Sequence, residues 1–215
     1  STNCELVANW SQISKSASSG NSSGPRNDQR PAGLETGDTP DSEDCATTIR
    51  RLKQQLAALQ ARLQPRCPPL KWVDARQIHV TLKFLGEIAD RQVAPIAEAL
   101  DELCSQCQPV DIGVESLGAF NPTGVVKVLW VGLQESTGRL AQCHARCEEL
   151  LAPLGFLPEG RKFSPHLTLA RNNDVRNSRE SLSARDVEPP FRAGTQTITG
   201  VTFYQSTLTP TGPIY

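Results

Sequence analysis

The chain has 215 residues, enough for one ordinary domain or two small lobes with a real core. Its formal net charge of −1 excludes a globally basic nucleic-acid binder but allows a local basic pocket. No window approaches the run of about 18 apolar residues that spans a bilayer, and no basic stretch leads into an apolar run at the start, so neither membrane insertion nor secretion is expected.

Residues 11–44 are dominated by Ser, Gly, Pro, Asn and Asp and hold too few apolar side chains to offset their ordering entropy. Residues 1–44 are therefore expected to be a disordered or inserted segment, with one candidate strand near residues 5–10, around Leu6-Val7-Ala8. Residues 45–215 are the expected folded domain. The Ser-rich, acid-poor start has a faint organelle-import character, but a disordered tail on a cytoplasmic, monomeric protein is the preferred reading.

From Thr47 to Leu63, Ile49, Leu52, Leu56, Leu59 and Leu63 recur at helical spacing, and Pro65 lies just beyond. Short extended segments follow at Leu70–Val73 and Ile78–Leu85. Arg91–Cys104 reads as a helix with Val93, Ile96, Leu100 and Leu103 on one stripe. Val110–Phe120 and Val125–Leu133 read as strands of a hairpin turning at Asn121-Pro122-Thr123-Gly124. A third helix is expected over Arg139–Leu151, then a strand over Phe163–Ala170. The last strands are placed near Thr197–Tyr204 and Gln205–Thr209.

Seven cysteines, an odd number without a secretory signal, point to reduced thiols. Cys104 and Cys107, and Cys143 and Cys147, do not match a zinc knuckle, since the second pair is spaced i, i+4 within a helix. No metal and no cofactor is expected. His144, in the same helix, is read as a surface residue.

One tetrapeptide pattern occurs twice: His79-Val80-Thr81-Leu82 and His166-Leu167-Thr168-Leu169, which uses two of the chain's three histidines. Strand alternation puts each histidine on the same face as its threonine and turns the aliphatic residues the other way. Each copy follows a helix, so two similar halves about a pseudo-twofold axis would bring both motifs to one groove. Two imidazoles and two hydroxyls there suit acid–base chemistry on a phosphate. One histidine takes a proton from water, the other protonates the leaving oxygen, and the hydroxyls of Thr81 and Thr168 bind non-bridging oxygens. Straight-strand parity adds Lys83 to the face of His79 and Thr81. Arg171 has the wrong parity and reaches the groove only if the strand ends or bulges near Ala170. Leu82, Phe84, Leu167 and Leu169 are expected in the core.

His79-Val-Thr-Leu-Lys-Phe-Leu-Gly86, preceded by Leu70-Lys-Trp-Val73, and Ser164-Pro-His-Leu-Thr-Leu-Ala-Arg171 resemble the paired signatures of the 2H phosphoesterase superfamily. Within it the chain looks most like the RNA 2′,3′-cyclic phosphodiesterases, also called 2′-5′ RNA ligases. Lys127-Val-Leu-Trp-Val-Gly-Leu133 and Phe203-Tyr-Gln-Ser206 with Gly212-Pro-Ile-Tyr215 look like that family's later strands. The resemblance implies an α+β, bilobal fold: two pseudo-twofold-related antiparallel sheets, helices outside, and a central groove. It implies opening of an RNA-terminal 2′,3′-cyclic phosphate to a 2′-phosphomonoester without metal or cofactor, and reversible 2′-5′ ligation of RNA such as tRNA halves. His79 would be the acid and His166 the base, with Thr81 and Thr168 as phosphate ligands; Lys83 and Arg171 are candidates for the same phosphate from strand parity, with a bulge for Arg171, and not from the resemblance. Phe84 or Tyr204 could stack the terminal base. Alternatives are a phosphodiesterase for a small cyclic phosphate or 2′-5′ oligoadenylate, and a non-catalytic RNA-end-binding module. The resemblance also expects a first strand to pair with the motif strand; Leu6-Val7-Ala8 either supplies it or the strand is absent.

Overall fold

The computed structural model describes residues 2–10, 45–67, 70–120, 126–172, 191–209 and 212–214. The expected disorder of 11–44 and the turn at Asn121–Gly124 lie outside them. Eight strands and three α-helices follow in the order β1 (Thr2–Trp10), α1 (Cys45–Leu63), β2 (Lys71–Trp72), β3 (Val80–Gly86), α2 (Asp90–Gln106), β4 (Val110–Phe120), β5 (Val128–Gln134), α3 (Arg139–Leu151), β6 (His166–Arg171), β7 (Arg192–Thr209) and β8 (Gly212–Ile214). Among the described residues, no helix is long and apolar enough to cross a membrane.

The first strand is present. β1 lies antiparallel between β3 and β7, with Val7 opposite both Thr81 and Thr202. Its residues alternate as a half-buried strand should: Cys4, Leu6 and Ala8 enter the main core, whereas Glu5 and Val7 turn to the other face. The same cluster holds Leu52, Leu56, Leu59 and Leu63 of α1, Ile96, Leu100 and Leu103 of α2, and Leu140, Cys147 and Leu151 of α3. Amphipathic stripes of i, i+3, i+4 period thus cover one side of the strands and leave the other for a groove.

The two expected sheets are joined. A single eight-stranded antiparallel sheet runs β1-β3-β6-β5-β4-β7-β8, with β2 on β6 and a further β1–β7 pairing that returns the path to its start. The cause is β7, one strand of 18 residues rather than two short ones. Its first part, Arg192–Ile198, pairs with β4, and the part from Ile198 to Thr207 pairs with β1. On the opposite side, β3 and β6 meet at one bridge, Val80 opposite Leu167. Both residues are almost fully buried.

Candidate active site

The bridge between β3 and β6 organises the site. Because the strands run antiparallel through Val80 and Leu167, Thr81 lies toward His166 and His79 toward Thr168. The two motifs are thus brought together, related by a local twofold through that bridge. The twofold extends to the imidazoles. His79 Nδ1 lies 2.7 Å from the Gln77 carbonyl oxygen, and His166 Nδ1 lies 2.7 Å from that of Ser164. A carbonyl only accepts, so each Nδ1 carries the donated proton and each Nε2 is left for chemistry. Burial pulls the His166 pKa below its ordinary value; the Ser164 carbonyl opposes this and the charge of Arg171 adds to it.

Arg171 reaches the groove face through a bulge. Trp130 pairs with Thr168 but Leu129 pairs with Ala170 and Val128 with Arg171, so Leu169 is the extra residue. Alternation resumes one position late, and Arg171 shares the face of His166 and Thr168. The displaced Leu169 carbonyl is satisfied by the backbone N–H of Val73 at 2.9 Å and by Gln60 Nε2 at 3.0 Å. Gln60, a buried side chain of α1, also donates to the Val73 carbonyl at 2.6 Å. One helix side chain thereby fixes the bulge that turns Arg171.

The first motif has the matching bulge, and it turns Lys83 away from the face of His79 and Thr81. Val7 pairs with Thr81 and Leu6 with Lys83, leaving Leu82 extra. Lys83 therefore points to the core side, 2% exposed, where its Nζ lies 2.7 Å from Glu148 Oε2 and 2.9 Å from the Leu157 carbonyl oxygen. It is an anchor between β3, α3 and the loop that leads into the second motif. Phe84 takes the surface that parity had given to lysine. It is 59% exposed, not core, and stands opposite Glu5 on the groove face. Phe84 and Arg171, each five residues after its histidine, are thus twofold counterparts. Leu82, Leu167 and Leu169 are buried as expected.

His144 is not a surface residue either. Its side chain is 12% exposed, with its ring stacked on Phe163 at 4.0 Å. Its Nε2 is 3.5 Å from Glu148 Oε1, too long for a good hydrogen bond, and burial lowers its pKa against the pull of Glu148. Cys4, Cys67, Cys104, Cys107, Cys143 and Cys147 are free thiols.

Three residues near the motif histidines were missed from sequence: Phe120, Trp130 and Glu5. Phe120 meets the His166 ring edge-on at 5.0 Å and Trp130 at 5.4 Å, and Trp130 lies 6.2 Å from His166. On the other side, Tyr204, directly opposite Glu5, stacks on His79 at 6.5 Å; base stacking had been weighed for it, but not this contact. Glu5, 5% exposed, is the third: its Oε1 lies 3.3 Å from His79 Nε2, and its Oε2 accepts from Thr81 Oγ1 at 3.3 Å. A carboxylate set between Cys4 and the apolar Leu6-Val7-Ala8 was the available signal. Trp130 is accommodated by Gly118 on β4, where an added Cβ would fall 2.2 Å from the indole. Gly118→Ala is expected to lower stability by about 1–3 kcal/mol, read as a lower denaturant midpoint at unchanged slope; an unchanged midpoint would show that the indole shifts at no cost.

The sequence profile of the LigT-like phosphoesterases matches residues 49–130 and again 131–215, one match for each half. The chain belongs to this family, the 2H phosphoesterases that its paired motifs resemble. It is 32% identical over 161 residues to an RNA 2′,3′-cyclic phosphodiesterase of Aeropyrum pernix, covering 75% of this chain and 90% of the relative. It is also 32% identical over 165 residues to a protein of the same name from Thermotoga maritima, covering 76% and 85%. The fold is similar to the crystal structure of TT0787 of Thermus thermophilus, with a TM-score of 0.62 and 25% identity over 77% of this chain and 88% of that one. It is similar also to E. coli LigT in complex with 3′-AMP, with a TM-score of 0.57 and 22% identity over 76% and 87%.

Proposed function

We propose that this chain hydrolyses an RNA-terminal 2′,3′-cyclic phosphate to a 2′-phosphomonoester by two-histidine acid–base catalysis, with no metal required. The observation that carries this reading is the pair of imidazoles, each pinned at Nδ1 by the carbonyl two residues earlier and each beside a threonine, facing across the Val80–Leu167 bridge. The relatives named as RNA 2′,3′-cyclic phosphodiesterases supply the substrate class.

His166, pushed toward neutrality, takes a proton from water at Nε2 as the water oxygen bonds to phosphorus. The bond from phosphorus to the 3′-oxygen breaks, and His79 Nε2–H protonates that oxygen. Thr81 and Thr168 donate to the non-bridging oxygens, and Arg171 adds positive charge on the His166 side. An RNA 5′-hydroxyl in place of water, with the 3′-oxygen again leaving, would give 2′-5′ ligation by the same steps. Phe84 and Tyr204 on one side and Phe120 on the other offer aromatic surfaces for bases.

The test is turnover of a short RNA ending in a 2′,3′-cyclic phosphate, with EDTA present throughout. A 2′-phosphate product is expected. Activity that needs an added divalent ion, or none from folded protein, would sink the proposal.

A further inference from the structure

Glu5 stands where a phosphate would go. A substrate phosphate at the first motif needs His79 Nε2–H and Thr81 Oγ–H as donors. Both face the Glu5 carboxylate at 3.3 Å, one to each oxygen. The carboxylate is held there by the fold. β1 is paired on both edges, Glu5 lies opposite Phe84 and Tyr204, and its residue is 5% exposed. A carboxylate that supported His79 from behind would bond to Nδ1, but the Gln77 carbonyl holds that atom at 2.7 Å. Glu5 is on the reacting nitrogen, so it competes with the substrate instead of orienting the ring. The second motif has the opposite sign nearby, with Arg171 on the face of His166 and Thr168.

We propose that Glu5 is a charge-selecting residue of the first phosphate half-site, favouring a singly charged phosphodiester over a doubly charged phosphomonoester. Any phosphate must draw the two donors away from the carboxylate and then sit beside its negative charge. That repulsion grows with the charge on the phosphate. A cyclic diester carries one negative charge, whereas a monoester carries nearly two above its second pKa of about 6. Given the proposed reaction, on which this inference rests, the residue admits substrate and expels product.

Two inert probes that differ by one methyl group separate these effects: 2′-deoxyadenosine 3′-phosphate and its methyl ester, titrated calorimetrically at pH 8. Neither has a 2′-hydroxyl, so neither is turned over by cyclisation. In Glu5→Gln, the monoester is expected to bind about tenfold more tightly than in wild type, and the methyl ester less than about threefold more tightly. Glu5→Leu, which suits a buried strand position, should show the same bias if the glutamine variant folds poorly. Equal gains for both probes, or none, overturn charge selection while leaving the phosphate groove intact. No binding of either probe to any form overturns the proposed phosphate site and this inference together. A fall in kcat on cyclic-phosphate RNA at unchanged KM in Glu5→Gln would make Glu5 a support for His79, and likewise overturns the inference.

Discussion

Replacement of His166 by alanine is expected to lower kcat on a cyclic-phosphate RNA by about 10²- to 10⁴-fold, with KM changed far less. The asymmetry between rate and affinity follows from position. In the proposed reaction His166 would touch the water and not a fixed part of the ligand, while Thr168, Thr81 and Arg171 would remain to hold the phosphate. A loss of affinity at unchanged rate would instead make His166 a binding residue. The pH profile provides a second check. Around His166 are the Phe120 and Trp130 rings, the Ser164 carbonyl and the charge of Arg171. Burial, helped by Arg171 and opposed by Ser164, lowers its pKa, so the neutral, basic form persists to lower pH than in an ordinary histidine near 6.5. The acidic limb of kcat/KM should therefore fall below pH 6.5, with rate rising as pH increases through it. A limb centred above that value would contradict the assignment of His166 as the base.

Lys83→Ala is expected to cost about 3–5 kcal/mol of stability. The lysine and Glu148 form a buried pair at 2.7 Å, and removing the ammonium leaves a carboxylate in the core without its cation. It also releases the Leu157 carbonyl, held at 2.9 Å, and so loosens the approach to Phe163 and His166. The double variant Lys83→Met, Glu148→Leu removes both charges and should recover most of the loss, because an apolar pair of similar volume avoids the desolvation cost. Urea unfolding of the two variants decides the matter. A single-variant loss under about 0.5 kcal/mol, the range of ordinary surface changes, would mean that the pair is solvated in solution.

Much of the fold was legible in the chain itself. Apolar spacing at Leu52, Leu56, Leu59 and Leu63 marked α1 to within two residues, because a helix stripe is a local property. Doubling of His-x-Thr-Leu pointed to two facing halves, and the two copies meet at one bridge, with His79 immediately before β3 and His166 opening β6. The failures share a cause. Lys83 and Phe84 were assigned by simple alternation, whereas Arg171 was kept only on condition of a bulge near Ala170; each motif strand contains a bulge that resets alternation after the threonine. A bulge is selected by distant partners. Glu148 and the Leu157 carbonyl draw Lys83 inward, while Gln60 and Val73 take up the freed Leu169 carbonyl. None of these is near its target in sequence.

Composition and periodicity act over a few residues, and they were enough for the three helices, most strands, the repeated motif and hence the class of chemistry. Folding in three dimensions was needed to join the two sheets through β7, to stack His144 inside, and to bring Glu5 to His79 and Thr81. Those outcomes depend on long-range strand pairing and on where buried charges find partners, and local pattern carries no record of either.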